Sequence, residues 1–238
     1  MSEEIKMLFK KLRMPGAYEM YEKIRDKSKD NFLEEILRAE IESRNNSTIV
    51  KKIKRAGFPT LKRFEELKVE YLPEDAQKRI EELKSLEFIE KHRNVIMLGN
   101  SGTGKTHLAT AMGIQACEKG YNVSFKTTAK LVNELKEAKD NRQLTKYARV
   151  FEKYDIVILD ELGYISFDTE GSELLFQYIA MRYERKSTVI TTNLVFSEWI
   201  KIFHDKALTM ALLDRITHNA IILNMNGESY RRRQETKR

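Results

Sequence analysis

Residues 99–106 read GNSGTGKT and directly follow the run Asn94, Val95, Ile96, Met97, Leu98. A glycine-rich loop of the pattern GxxxxGK[ST] behind a short apolar run fixes a strand, a phosphate-binding turn and a helix in that order. Glycines at Gly99, Gly102 and Gly104 let successive amides, including those of Asn100, Ser101 and Thr103, converge on phosphate oxygens. Lys105 is spaced to reach the β and γ phosphates, and the hydroxyl of Thr106 to hold Mg²⁺. A helix starting near Gly104 adds its positive end.

The rest of the chain must supply a sheet around that loop. From Asn94 onward, apolar runs alternate with helical segments, the pattern of a parallel sheet covered by helices on both faces. Five strands are predicted, at 95–98, 122–125, 156–159, 188–191 and 220–223. Short uninterrupted apolar runs suit strands buried on both faces, and functional groups then gather at their carboxyl ends. Before residue 68 strand alternation is missing. Helical spacing of Ile5, Leu8, Phe9 and Leu12, then of Phe32, Leu33, Ile36, Leu37 and Ile41, predicts a small all-helical domain over 1–67. Pro15 and Gly16 interrupt its first helix, while Gly57, Phe58 and Pro59 end a long one that begins near Asn31. Tyr71, Leu72 and Pro73 lead into a helix at 74–86, giving a linker and helix over 68–93 and an α/β domain over 94–238. The 238 residues, 41% hydrophobic with three prolines, are enough for one such domain and a small appendage.

Charge and cysteine usage narrow the setting. A formal charge of +7 suits a polyanionic partner without demanding one. The single cysteine, Cys117, cannot form an internal disulfide, which fits a reducing cytoplasm. No apolar stretch is long enough to cross a membrane, and His92, His107, His204 and His218 lack metal-ligand spacing.

Each later strand ends in polar residues. The run Ile156, Val157, Ile158, Leu159 ends in Asp160, suited to the Mg²⁺ shell, and Glu161, a candidate base for polarising water. Thr188 to Thr192 leads to Asn193, which equally suits orienting the attacking water and capping the helix near Phe196. Arg215 and Arg231 are candidates for phosphate charge; a helix arginine such as Arg215 is usually solvated or paired with a nearby acid, here Asp214, and Arg231 opens a basic tail. Leu86 to Ile89, entering the first strand, is the candidate adenine wall. Arg44, Lys51, Lys52, Lys54 and Arg55 offer a footprint for DNA phosphates along one helix, although Glu34, Glu35, Glu40 and Glu42 dilute its first half.

Taken together, KKLRMPGAYEMYEKI, KRAGFP, GNSGTGKTHLA, ILDELGY, LLFQYIAMRYERKSTVITTN, FSEW, LLDRITH and GESYR resemble the AAA+ ATPases of the DnaC and IstB branch, most closely the IstB type. That resemblance implies a P-loop NTPase without the usual helical lid. It further implies Walker A at 99–106, Walker B at Asp160 and Glu161, sensor 1 at Asn193, an arginine finger at Arg215 and sensor 2 at Arg231, with a short helix from Gly227 carrying the last. The implied cofactors are ATP and Mg²⁺. The implied activity is ATP hydrolysis coupled to self-association on duplex DNA, helping a partner transposase. A helicase loader of the DnaC type on single-stranded DNA, or a nucleotide switch with negligible hydrolysis, are the alternatives.

Overall fold

The computed structural model describes residues 3–23 and 29–230, so Arg231 and the side chains of Ile5, Phe32 and Leu33 lie outside the described residues. Helices α1 (Glu3–Lys11), α2 (Pro15–Lys23) and α3 (Lys29–Ala56) come first, followed by α4 (Glu74–Ser85) and α5 (Glu87–Glu90). Strands β1 (Asn94–Leu98), β2 (Val123–Thr127), β3 (Ile156–Leu162), β4 (Ser187–Thr192) and β5 (Ala220–Asn224) then alternate with α6 (Lys105–Glu118), α7 (Thr128–Asp140), α8 (Leu144–Phe151), α9 (Thr169–Ala180), α10 (Ile200–Phe203) and α11 (Lys206–Thr217).

Two compact units divide between Lys52 and Ile53, earlier than residue 67. Ala56, Phe64 and Leu67 belong to the core beneath the sheet, which draws residues 53–67 into the second unit. In the first unit the hydrophobic pattern is only partly realised. Ile36 is buried and Phe9 packs edge-on to Tyr18 and tilted against Tyr21, but Leu8, Leu12, Leu37 and Ile41 remain exposed. A carboxylate does what an apolar core does elsewhere. Glu40, 4% exposed, accepts the Ala17 amide of the first turn of α2 at 3.2 Å, where the positive end of a helix favours an anion. Arg44 in turn donates to Glu40 at 2.7 Å.

The second unit is built on a sheet of order β2-β3-β4-β1-β5 in which every pair is parallel. Successive strand residues go to opposite faces. Val95, Met97, Ile156, Ile158 and Val189 face a core shared with α4 and α6, whereas Ile96, Val157, Leu159 and Ile190 face one shared with α7, α9 and α11. Phe58, just beyond α3, packs edge-on to Phe125 of β2 at 5.8 Å. Its ring fills a notch on α6 that exists only because residue 113 is glycine: a Cβ there would stand 2.6 Å from Phe58. The motif KRAGFP is thus a clip onto the helix that follows the phosphate loop.

The amino ends of β3 and β4 are closed by a buried cation. Arg182 donates to the carbonyls of Tyr154, Asp155 and Ser187 and to the Thr188 hydroxyl, at 2.7–3.3 Å. Burial pulls its pKa down to about 9, and Asp155 opposes that pull. Leu86, Phe88 and Ile89 lie at this same edge, packed in the core, and the Ser187 hydroxyl donates to the Phe88 carbonyl. They are therefore not an adenine wall, because the phosphate loop leaves the opposite end of β1.

Candidate nucleotide site

The carboxyl ends of β1, β3 and β4 meet around the glycine loop. The Gly99 amide donates to the Thr192 carbonyl at 3.1 Å, tying the start of the loop to the end of β4. Gly104 has φ +96, a conformation open to glycine, and from it α6 begins at Lys105. The Lys105 ammonium donates to the carbonyls of Gly99 and Asn100, each at 2.6 Å. Thr103, nearly buried, donates to the Asn100 carbonyl and so braces the loop from within.

Thr106 and Asp160 come together as the sequence predicts. The Thr106 hydroxyl lies 3.1 and 3.2 Å from the two carboxylate oxygens of Asp160, and Asp160 is 3% exposed. A second hydroxyl, that of Thr191, donates to Asp160 at 2.5 Å, and that of Thr128 donates to the Asp160 carbonyl at 3.1 Å. Glu161 is exposed beside them with φ +59, a left-handed conformation that a glutamate adopts only where its surroundings impose it. A hydroxyl and a carboxylate in contact are a donor set that fits Mg²⁺.

Asn193 is the first residue beyond β4 and is exposed at the same edge. The short 3₁₀ turn Phe196–Glu198 has Val195 at its N-cap without a side-chain bond, so Asn193 does not serve as its cap. Arg215 is elsewhere. It lies in the last turn of α11, its guanidinium donating to the Ala211 carbonyl at 2.8 Å and stacking over Phe176 at 5.2 Å. The next residue, Ile216, accepts from the Asn94 side chain at the amino end of β1. Five strand residues, about 16 Å at 3.3 Å each, separate that point from the phosphate loop. Of the basic set on α3, Arg44 is engaged by Glu40, Lys52 is half-buried, and Lys51, Lys54 and Arg55 are exposed.

Several residues around the loop are not among the candidate site residues, although Tyr164 and Tyr230 lie within ILDELGY and GESYR. Asn226 accepts the Asn100 amide through its side chain at 3.2 Å, and the Tyr230 amide donates to the Gly102 carbonyl at 2.9 Å. The segment 225–230 is therefore a strap on the phosphate loop, and it turns helical only at Tyr230 rather than from Gly227. Tyr71 packs against Tyr230 at 5.6 Å, and Leu72 lies against Gly104. These aromatic and apolar side chains, not those at 86–89, adjoin the loop. Tyr164 hydrogen-bonds Ser101 at 3.0 Å from the turn after β3.

The family model described as IstB-like ATP binding protein matches residues 10–238. The ATP-binding protein of insertion sequence IS5376 from Geobacillus stearothermophilus is 37% identical over 241 residues, covering 99% of this chain and 96% of its own. That of insertion sequence IS232 from Bacillus thuringiensis subsp. berliner is 40% identical over 192 residues, covering 81% and 77%. Among solved structures, the DnaC helicase loader is similar in fold, with a TM-score of 0.55, 24% identity and coverage of 65% of this chain and 92% of that one.

Proposed function

Because the chain belongs to the IstB-like family of insertion-sequence ATP-binding proteins, we propose that it hydrolyses ATP with Mg²⁺ while assembling on duplex DNA, and so assists a partner transposase in selecting a target for insertion. The observation that carries this reading is the meeting of Thr106 and the buried Asp160 beside an outward-turned Glu161. Bound Mg²⁺ neutralises charge on the transferring phosphoryl group. The residues have separate tasks. Lys105 and the amides of 99–104 hold the β and γ phosphates, Thr106 and Asp160 hold the metal, and Glu161 polarises the attacking water. Asn193 orients that water, and Arg231 follows directly on the Tyr230 strap to sense the γ-phosphate.

The separation of Arg215 from the loop of its own chain supports a role on the nucleotide of a neighbouring copy. Self-association then completes the site. On α3, Lys51, Lys54 and Arg55 contact duplex phosphates, with Arg44 and Lys52 at the flank. The proposed location is the cytoplasm, where ATP and DNA are both at hand. Among the described residues no helix is long and apolar enough to cross a membrane.

ATPase rate and particle size, followed together with duplex DNA, single-stranded DNA or neither, test this reading. Duplex DNA is expected to raise both. A preference for single strands favours the helicase-loader alternative, and tight ATP binding without phosphate release under every condition favours a switch.

A further inference from the structure

No motif singles out Thr191, yet it touches both carboxylate residues of the site. Pairing of β3 with β4 runs in step to Leu159↔Ile190 and resumes at Leu162↔Thr192. Asp160 and Glu161 together thus stand opposite Thr191 alone, which is a bulge. Without it, consecutive strand residues point to opposite faces and the two carboxylates could not both serve one edge. The bulge leaves Glu161 at φ +59 with its amide out of the ladder. Thr191 takes up that amide. Its hydroxyl accepts the Glu161 N–H at 3.0 Å and donates its own proton to Asp160 at 2.5 Å. The side chain is 1% exposed and β-branched, so its rotamer is tightly limited.

We propose that Thr191 is a positioning residue for hydrolysis: it holds the Asp160 carboxylate beside Thr106 and keeps Glu161 in the backbone conformation that turns its carboxylate toward the nucleotide. The proposal rests on the hydrolytic reading above. It differs from a packing role because a single hydroxyl, not a side-chain volume, carries it.

Thr191→Val keeps the shape and removes both bonds. In the full chain with ATP, Mg²⁺ and duplex DNA, its kcat is expected to fall about 10- to 100-fold, the loss typical when a residue that orients a ligating group is removed. Affinity for a fluorescent ADP analogue remains near that of the unaltered protein and the chain still unfolds cooperatively, with a melting temperature lowered by the two lost bonds and restored in Thr191→Ser. Thr191→Ser, which keeps the hydroxyl, recovers turnover. Placed on Glu161→Gln and measured in a single turnover, Thr191→Val adds a smaller loss than it causes alone, because only the part that runs through Asp160 remains to be lost. Amide exchange at Glu161 accelerates in Thr191→Val, a readout that needs no turnover. The proposal is overturned by undiminished kcat in Thr191→Val, by a Thr191→Ser as impaired as Thr191→Val, or by an equal loss on the Glu161→Gln background. Absence of turnover in the unaltered protein overturns the hydrolytic reading instead; unchanged exchange at Glu161 in Thr191→Val then removes the positioning role by itself.

Discussion

The two ends of the same parallel sheet solve the same problem in opposite ways. Strand termini leave carbonyls and amides that need partners. At the amino end Arg182 satisfies three carbonyls at once and is itself sealed away from water, 3% exposed. At the carboxyl end short hydroxyl side chains do this work, Thr128 for the Asp160 carbonyl and Thr191 for the Glu161 amide, while Thr106 and Thr191 also brace the Asp160 carboxylate and a lysine turns onto its own loop. A long cation closes an edge permanently, whereas short side chains brace it while leaving the loop amides for phosphate. The difference predicts which substitutions move turnover and which move stability.

Arg215 tests this division most severely, because it lies toward the amino end yet is proposed to act in hydrolysis. Arg215→Ala is expected to lose about 10³- to 10⁵-fold in turnover, the range of an arginine finger, with ATP affinity retained. Mixing it with Glu161→Gln should recover part of the activity. Each defective copy then lends the other its intact half. A mixture as inactive as its two components, or an Arg215→Ala that turns over normally, breaks the assignment and leaves hydrolysis wholly at the carboxyl edge of one chain.

Arg182→Met is the converse. It fills much of the same volume over Phe151 but leaves the carbonyls of Tyr154, Asp155 and Ser187 short of a donor. The expected cost is about 3 kcal/mol of stability, from several buried acceptors each losing a charge-assisted bond. Denaturant titration reads it directly. Turnover per folded molecule should be unchanged, and a fall in turnover without a fall in stability would remove the contrast between the edges.

How far the sequence foretold each edge follows from the same contrast. Gly99 to Thr106, Asp160 and Glu161 could be picked out as candidates because phosphate chemistry demands particular residues at fixed spacing, and the parallel α/β architecture followed from the alternation around them. Arg182, within MRYERK, looks like any solvated arginine; only the packing of Phe151 and the strand ends makes it internal. The bulge at Asp160 and Glu161 was also hidden, since it depends on a pairing register with β4 that one strand cannot reveal. Leu86 to Ile89 misled because proximity in sequence to β1 placed them at its wrong end. In the first helical unit, Glu40 read as a charge diluting a basic face, whereas it is the buried tie between α2 and α3. Helical periodicity there foretold the helices, while Leu8, Leu12, Leu37 and Ile41, which carry it, are exposed.

The smallest expected effect concerns a region that belongs to neither edge. Lys54 and Arg55 are exposed in the last turn of α3, just before the Phe58 clip, and among the described residues neither is seen to pair with a buried carboxylate as Arg44 does. Replacing both with glutamine removes charge without removing helix formers. If each meets one duplex phosphate, the slope of log affinity against log salt should become shallower by about 1.8, at roughly 0.9 per phosphate. DNA-free turnover and thermal stability should not move, because neither residue touches the sheet ends. A slope unchanged within error shifts the DNA contact away from this turn of α3. A matching loss of DNA-free turnover instead means that the turn acts through α6, where Phe58 fills the notch at Gly113.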